Sequence, residues 1–235
     1  MQTIQSKLLA IHALTADTFQ YDFDFGGPHF EFKAGQFFML KVEDGQTPPV
    51  NRSYSIASPP AMTDYFSLCV KLLPGGRGSE YLRGLKVGDS AQFMAPLGHF
   101  YWKSEGKAVV MVATGTGLAP FMSMLPTALE AGYTAPIHLY FGVRHEDDLF
   151  YIDELRAWEA DYPNFKAFIT LSQPHEGWTG LQGRVTDHVE ALALDPENTD
   201  VYICGNGAMV KEVKQLMDAK GLPKTSIHLE QFNPA

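Results

Sequence analysis

Between residues 19 and 25 the side chains alternate with period two: Phe19, Tyr21, Phe23 and Phe25 are separated by Gln20, Asp22 and Asp24. A β-strand points successive side chains to opposite faces, so this pattern predicts a strand with one face in a core. Runs of similar character follow over residues 37–42, 52–56, 65–73 and 90–94, separated by turn clusters such as Asp44-Gly45 and Gly88-Asp89. Several short strands at this spacing predict an antiparallel β-barrel. Past Gly106 the rhythm changes. Apolar runs over residues 108–113, 137–143, 165–170, 201–204 and 227–229 alternate with helix-periodic stretches near 120–131, 152–160, 186–192 and 208–219. Uniformly apolar strands separated by helices predict a doubly wound α/β domain with a parallel sheet. The expected organisation is two-domain, a β-barrel over residues 1–104 followed by an α/β domain over residues 105–235, with no internal repeat.

Composition narrows the class of partner. The chain has 235 residues, 45% of them hydrophobic, which is enough for two real cores. A formal net charge of −9 argues against nucleic acid or an anionic membrane as the main partner, since both would be repelled. No run of about 18 apolar residues occurs, and the first residues lack the charged-then-apolar layout of a signal peptide, so a cytoplasmic protein is expected. The two cysteines, Cys69 and Cys204, cannot supply the four thiolates of an iron–sulfur cluster. The eight histidines are scattered without ligand spacing, so no metal site is expected.

Four segments carry candidate chemistry. Arg52-Ser53-Tyr54-Ser55 offers a charged planar fork, an aromatic ring and short hydroxyls, although an ordinary strand could read the same way. Pro74-Gly75-Gly76-Arg77-Gly78-Ser79 runs into a short helical stretch at Glu80, and a glycine loop opening a helix makes an anion site. A hairpin loop is the alternative. Gly115-Thr116-Gly117-Leu118-Ala119-Pro120 follows an apolar strand, where α/β sheets bind nucleotides, but Pro120 replaces the last glycine of the G-x-G-x-x-G fingerprint. A generic strand-to-helix turn stays open there. Cys204-Gly205-Asn206-Gly207 ends a later strand and leaves room for a flat ring, or for a cysteine that merely packs.

In this order the segments resemble the ferredoxin–NADP reductase family, and within it the reductase components of bacterial oxygenases, over roughly residues 6–232. The resemblance implies an FAD-dependent oxidoreductase that takes hydride from NADH, or less readily NADPH. It implies that Arg52, Gly76, Arg77, Gly78 and Ser79 hold the FAD diphosphate, that Ser53, Tyr54 and Ser55 line the flavin with Ser55 beside N5, and that Cys69, Val70 and Lys71 run along the ring and ribityl chain. Gly115, Thr116, Gly117, Arg144, Gly205 and Met209 would surround NAD(P)H, with Thr116 near the FAD junction as well. Cys204 would face the nicotinamide, Glu230 would lie near the flavin, and Phe232 near its outer face. Asn206 stands where the family usually has a proline, a change expected to loosen that turn. The loop Arg144-His145-Glu146-Asp147-Asp148 sets three carboxylates against a 2′-phosphate, which favours NADH.

The family's electrons pass to a separate ferredoxin or oxygenase component. Many of these reductases carry a fused ferredoxin domain, which is not expected here because the cysteines are too few. Lys71, Arg77, Arg83 and Lys86 form the expected basic patch for an acidic acceptor. A free-flavin or quinone reductase, a non-enzymatic flavin-binding regulatory subunit and a subunit of a larger dehydrogenase are the alternatives. Nothing in the sequence fixes the oligomeric state.

Overall fold

The protein was described from a computed structural model, in which residues 2–232 are described. Two compact units emerge. One comprises the residues up to Trp102 together with Ala119–Ala128, the other Lys103–Leu118 and the residues from Leu129 onward.

In the first unit, β1 (Gln2–Ala13), β2 (Thr18–Phe23), β3 (Phe37–Val42), β4 (Val50–Ser55), β5 (Phe66–Lys71) and β6 (Ser90–Leu97) form an antiparallel sheet in the order β4-β3-β6-β1-β2-β5. A bridge between Ile56 and Leu68 joins the two ends of that order and curls the sheet into a barrel. Helix α1 (Arg77–Gly84) lies between β5 and β6 in the chain. The barrel is filled by aromatic rings, with Phe66 edge-on to Phe38 at 4.5 Å and to Phe93 at 5.4 Å. Edge-to-face pairs of this kind add to the burial of large apolar surface.

The sequence alternation extends to Phe25, but β2 stops at Phe23. Asp24 accepts hydrogen bonds from the Lys7 and Gly26 N–H groups at 2.8 and 2.9 Å, and Gly26 turns the chain at φ 65°. Strand β1 is absent from the sequence reading altogether. Its inward positions alternate through Ile4, Ser6, Leu8 and Ala10, but Ser6 is polar and the exposed face carries Leu9 and Ile11, so the period is masked in the sequence.

The second unit is a parallel sheet in the order β10-β9-β8-β7-β11-β12, built from β7 (Ala108–Thr114), β8 (Ile137–Val143), β9 (Phe165–Leu171), β10 (Leu181–Gln182), β11 (Thr199–Asn206) and β12 (Ile227–Phe232). The chain also forms α2 (Ala119–Glu130), α3 (Ile152–Asp161), α4 (Val185–Glu190) and α5 (Gly207–Ala219). The central strands are apolar on both faces, as the sequence implied, whereas the two-residue β10 is too short to leave a pattern. Strands are added toward β8 on one side of β7 and toward β11 on the other. The order therefore reverses between β7 and β11, and in such sheets the crevice at the carboxyl ends of those strands is where ligands bind.

Candidate active site

The barrel unit brings the Arg52 tetrapeptide and the glycine loop together. Both lie far apart in sequence, yet a Cβ on Gly78 would stand 2.8 Å from the Tyr54 hydroxyl and 2.9 Å from Arg52 Cγ. Glycine lets the first turn of α1 approach these two side chains without displacing either. The cap position, Gly76, supplies no side-chain hydrogen bond to the N–H groups of that turn. Arg52 itself donates from Nη1 to the Asn51 carbonyl at 3.0 Å. Ser79 accepts the Leu73 N–H at 2.9 Å and keeps its own proton to donate. A planar cation, a helix start and the room left by a glycine thus meet in one place, a donor set that fits a diphosphate.

Around that anion site, burial of Tyr54, opposed by the Arg52 charge, pushes its hydroxyl up to about 12, so it remains a neutral donor through any working pH. Ser55 is buried at the end of β4 opposite Phe37, and Ser53 is exposed on the same strand. Cys69 and Val70 are buried on β5, paired with Gln20 and Phe19 of β2, which makes Cys69 a strand residue.

Arg77 does something different from the expectation. Its Nε and Nη2 form a two-point pair with Asp44 at 2.7 and 2.7 Å, and Nη1 donates to the Pro48 carbonyl at 2.7 Å. All three guanidinium nitrogens hold the β3–β4 loop, with Nη2 also donating to the Gln46 carbonyl at 3.3 Å, so four of the five N–H donors are taken. Hydrogen bonding to Arg77 lowers the Asp44 carboxyl to about 2. Two further members of the expected basic patch are locally paired, Lys71 with Asp17 at 2.9 Å and Arg83 with Glu80 one turn back on α1, while Lys86 is exposed.

In the α/β unit the two glycine turns meet at the switch point. A Cβ on Gly117 would overlap the Cys204 carbonyl oxygen and stand 2.6 Å from Gly205 Cα. Gly205, at φ 138°, packs its Cα against Thr114, where a Cβ would stand 2.8 Å from the Thr114 carbonyl oxygen. The Thr114 hydroxyl accepts the Asn206 N–H at 3.1 Å. Backbone lies on backbone here, with Gly115 and Thr116 leading into the contact. Thr114 was missed by the sequence reading, its only signal being a hydroxyl at the strand end just before the glycine turn.

Cys204 is completely buried at the end of β11, and burial, followed by the charge of Glu230, pushes its thiol well up. Glu230 is its cross-strand neighbour on β12, and Phe232 pairs with Asn206 at the end of the same strand. Asn206 does not loosen its turn. Its side chain caps α5 by accepting the Ala208 N–H at 2.9 Å. Met209, expected at the nucleotide, is 4% exposed and belongs to the apolar core of the unit.

Arg144 follows β8 and is exposed. Of the three carboxylates after it, Glu146 is paired with His175 Nδ1 at 2.9 Å and Asp148 accepts the His145 N–H at 3.1 Å, which leaves Asp147 as the exposed acid. Among the described residues no cluster of His, Cys, Asp and Glu could hold a metal ion, and both cysteines are free thiols.

Comparison with known proteins identifies the family. The "Oxidoreductase FAD-binding domain" family matches residues 5–102, and the "Oxidoreductase NAD-binding domain" family matches residues 111–215. The chain is 35% identical to Ferredoxin–NADP reductase B of Sorangium cellulosum, spanning 99% of this chain and 98% of that protein. It is 36% identical to the toluate 1,2-dioxygenase electron transfer component of Pseudomonas putida over 86% of this chain, which is 59% of that longer relative. Among solved structures, a cytochrome P450 reductase from Amycolatopsis superposes with a TM-score of 0.90 at 26% identity, over 99% of this chain and 70% of that one. The chain belongs to the ferredoxin–NADP reductase family of FAD- and NAD-binding oxidoreductases.

Proposed function

We propose that the chain is an FAD-dependent reductase that takes hydride from NADH and passes electrons to a separate ferredoxin or oxygenase component. Residues 1–104 hold FAD and residues 105–235 hold the nicotinamide nucleotide. The observation that carries this reading is that each unit closes its own motif pair, Gly78 on Arg52 and Tyr54 in the barrel, Gly117 on Cys204 and Gly205 in the α/β unit. When bound, FAD supplies a centre that accepts hydride and releases electrons singly.

The protein's own work is binding, orientation and exclusion of water. Arg52 and the first turn of α1 hold the diphosphate, which only the dinucleotide flavin possesses. Ser55 presents its hydroxyl to the flavin edge at N5. Cys204, kept neutral by burial, offers the nicotinamide a compact surface, and Glu230 beside it sets the electrostatics of that surface. Hydride transfer needs no separate acid or base. Asp147 disfavours a 2′-phosphate, which leaves NADH as the preferred donor. Two free thiols and the absence, among the described residues, of a helix able to cross a membrane are consistent with work in the cytoplasm.

The test is the cofactor released on denaturation, followed by turnover of the holoenzyme with NADH against ferredoxins, free flavins and quinones. FAD and rapid ferredoxin reduction are expected; FMN, or no reduction of the flavin by NADH, would overturn the reading. Local pairing of Lys71, Arg77 and Arg83 favours one second reading, a free-flavin or quinone reductase, because it weakens the patch that an acidic protein acceptor would need. Efficient turnover of free flavin with no ferredoxin reduction decides for it.

A further inference from the structure

The sheet of the α/β unit is unfinished along one edge. Its last strand, β10, pairs only with Thr170 and Leu171 of β9, so residues 165–169 have no strand beside them on that side. The chain between β9 and β10 carries Trp178 there instead. The indole Nε1 donates to the Leu181 carbonyl at 2.9 Å, and a Cβ on Gly180 would stand 2.7 Å from Cε2 of the ring, so the indole is held as a fixed wall. Between that wall and α3 lies a groove of about 460 Å³, the size of a small-ligand site, whose apolar lining includes Ile152, Leu155, Ile169 and Leu181.

Two opposite charges share this groove. Ile152, Leu155, Arg156 and Glu159 fall at i, i+3, i+4 and i+7 on one face of α3, which brings the two charged side chains alongside the apolar ones. They do not neutralise each other. Glu159 Oε1 crosses to the strand edge and accepts the Ala167 N–H at 2.9 Å, leaving Oε2 without a partner among the described residues. Arg156 is exposed and makes no ion pair or hydrogen bond among the described residues.

We propose that this groove binds a small zwitterion with an apolar side group, of the class of an aromatic α-amino acid. The Arg156 guanidinium takes the carboxylate with its planar fork, Glu159 Oε2 accepts from the ammonium, and the side group lies against Trp178 and Ile169. Helix positions i and i+3 hold their Cβ atoms about 5–6 Å apart, a span that the adjacent charged groups of an α-amino acid bridge. A simple anion would be repelled by Glu159 and a simple cation by Arg156, whereas a zwitterion satisfies both. An added peptide strand fits less well, because the Ala167 N–H in the middle of the open edge is already taken by Glu159. The groove shares no residue with the glycine turns or with residues 144–148, so it is a site apart from that of the nucleotide.

The experiment titrates the FAD-loaded protein calorimetrically with phenylalanine, with phenethylamine, which lacks the carboxylate, and with hydrocinnamate, which lacks the ammonium. Phenylalanine should bind roughly tenfold more tightly than either, the scale of one charge-assisted hydrogen bond. Arg156→Gln should erase the advantage over phenethylamine alone, and Glu159→Gln the advantage over hydrocinnamate alone. The amide oxygen in the second variant can still accept the Ala167 N–H, so the charge is removed without cutting the tie to β9. Saturating NAD+ should leave the affinity for phenylalanine unchanged. No binding of phenylalanine, equal binding of all three compounds, advantages that survive both variants, or displacement by NAD+ would each overturn the proposal. Displacement of phenylalanine by an extended valine–threonine peptide would overturn it as well, and would assign the groove to strand addition.

Discussion

The candidate motifs of the two units are built in opposite ways. The barrel unit brings side chains and charge to its motif, with the Arg52 and Tyr54 side chains packed on Gly78 in the first turn of α1. The α/β half relies on backbone against backbone, with Gly117 seated on Cys204 and Gly205. The first kind of site should fail when a charge is removed and tolerate small steric changes, because a side chain can swing aside. The second should be indifferent to surface charge and intolerant of a single added methyl group.

Gly117→Ala tests that contrast most severely. The new Cβ has no flexible neighbour to displace, only the carbonyl of Cys204, so β7 and β11 must part at the switch point. Misplacement of the nicotinamide on that scale should slow flavin reduction by roughly a hundredfold, with FAD content unchanged. Stopped-flow reduction by NADH and the flavin-to-protein ratio measure the two quantities separately. Normal reduction would show that the turn is not part of the hydride path.

Arg52→Ala comes next and should act on the other half alone. Loss of a charge-assisted contact to the diphosphate should weaken FAD binding by roughly tenfold to a hundredfold, while reduction of the FAD that remains bound is little changed. Full retention of flavin after dialysis would contradict the charge-based account of the barrel site.

Ser55→Ala and Cys204→Ala should each lower the flavin reduction rate by about tenfold at saturating NADH, equal to about 1.4 kcal/mol of barrier, with FAD retained. Cys204 also makes a pH prediction. Its thiol is pushed up by burial and by Glu230, so the folded state keeps the proton that the unfolded chain gives up near the ordinary thiol range of about 8.5. The associated stability is complete below that range and declines as pH rises above it. Alkaline unfolding should therefore start at higher pH in Cys204→Ala, and an identical profile would remove the thiol from the account.

The contrast also explains what could be read from the chain. The α/β half was legible because its strands are uniformly apolar and its turns are contiguous, so motif and contact coincide at residues 115–117 and 204–205. In the barrel half the residue types were legible but their partners were not. Arg77 sits inside the glycine loop, and nothing near it in sequence announces Asp44, which lies 33 residues away. Met209 was misplaced for a related reason. It follows the Cys204 turn closely, but the helical period carries its side chain onto the core face of α5, beside Val210 and Val213. Strand β1 shows the remaining blind spot, since a strand bonded on both edges that buries Ser6 and exposes Leu9 and Ile11 blurs its own alternation.

Arg77→Gln should have the smallest effect and separates the two arginines of the barrel. Were Arg77 a phosphate ligand, its loss would resemble that of Arg52. With Nε and Nη2 on Asp44 and Nη1 on the Pro48 carbonyl, the structure commits it to the β3–β4 loop. The substitution should weaken FAD binding by less than about threefold, since a loop-holding ion pair of this kind contributes little. The pair also fixes a direction with pH. Arg77 lowers the Asp44 carboxyl to about 2, below its value in an unfolded chain, so its contribution is present above the ordinary carboxylate range and is lost as pH falls toward 2. FAD retention in the parent protein should accordingly be flat from pH 8 to 5, with loss of the Asp44 contribution starting only below about 4. Release of FAD by Arg77→Gln at neutral pH, to the extent seen with Arg52→Ala, would mean that Arg77 leaves Asp44 when the diphosphate binds, and the barrel half would then hold its ligand with two exchangeable cations instead of one.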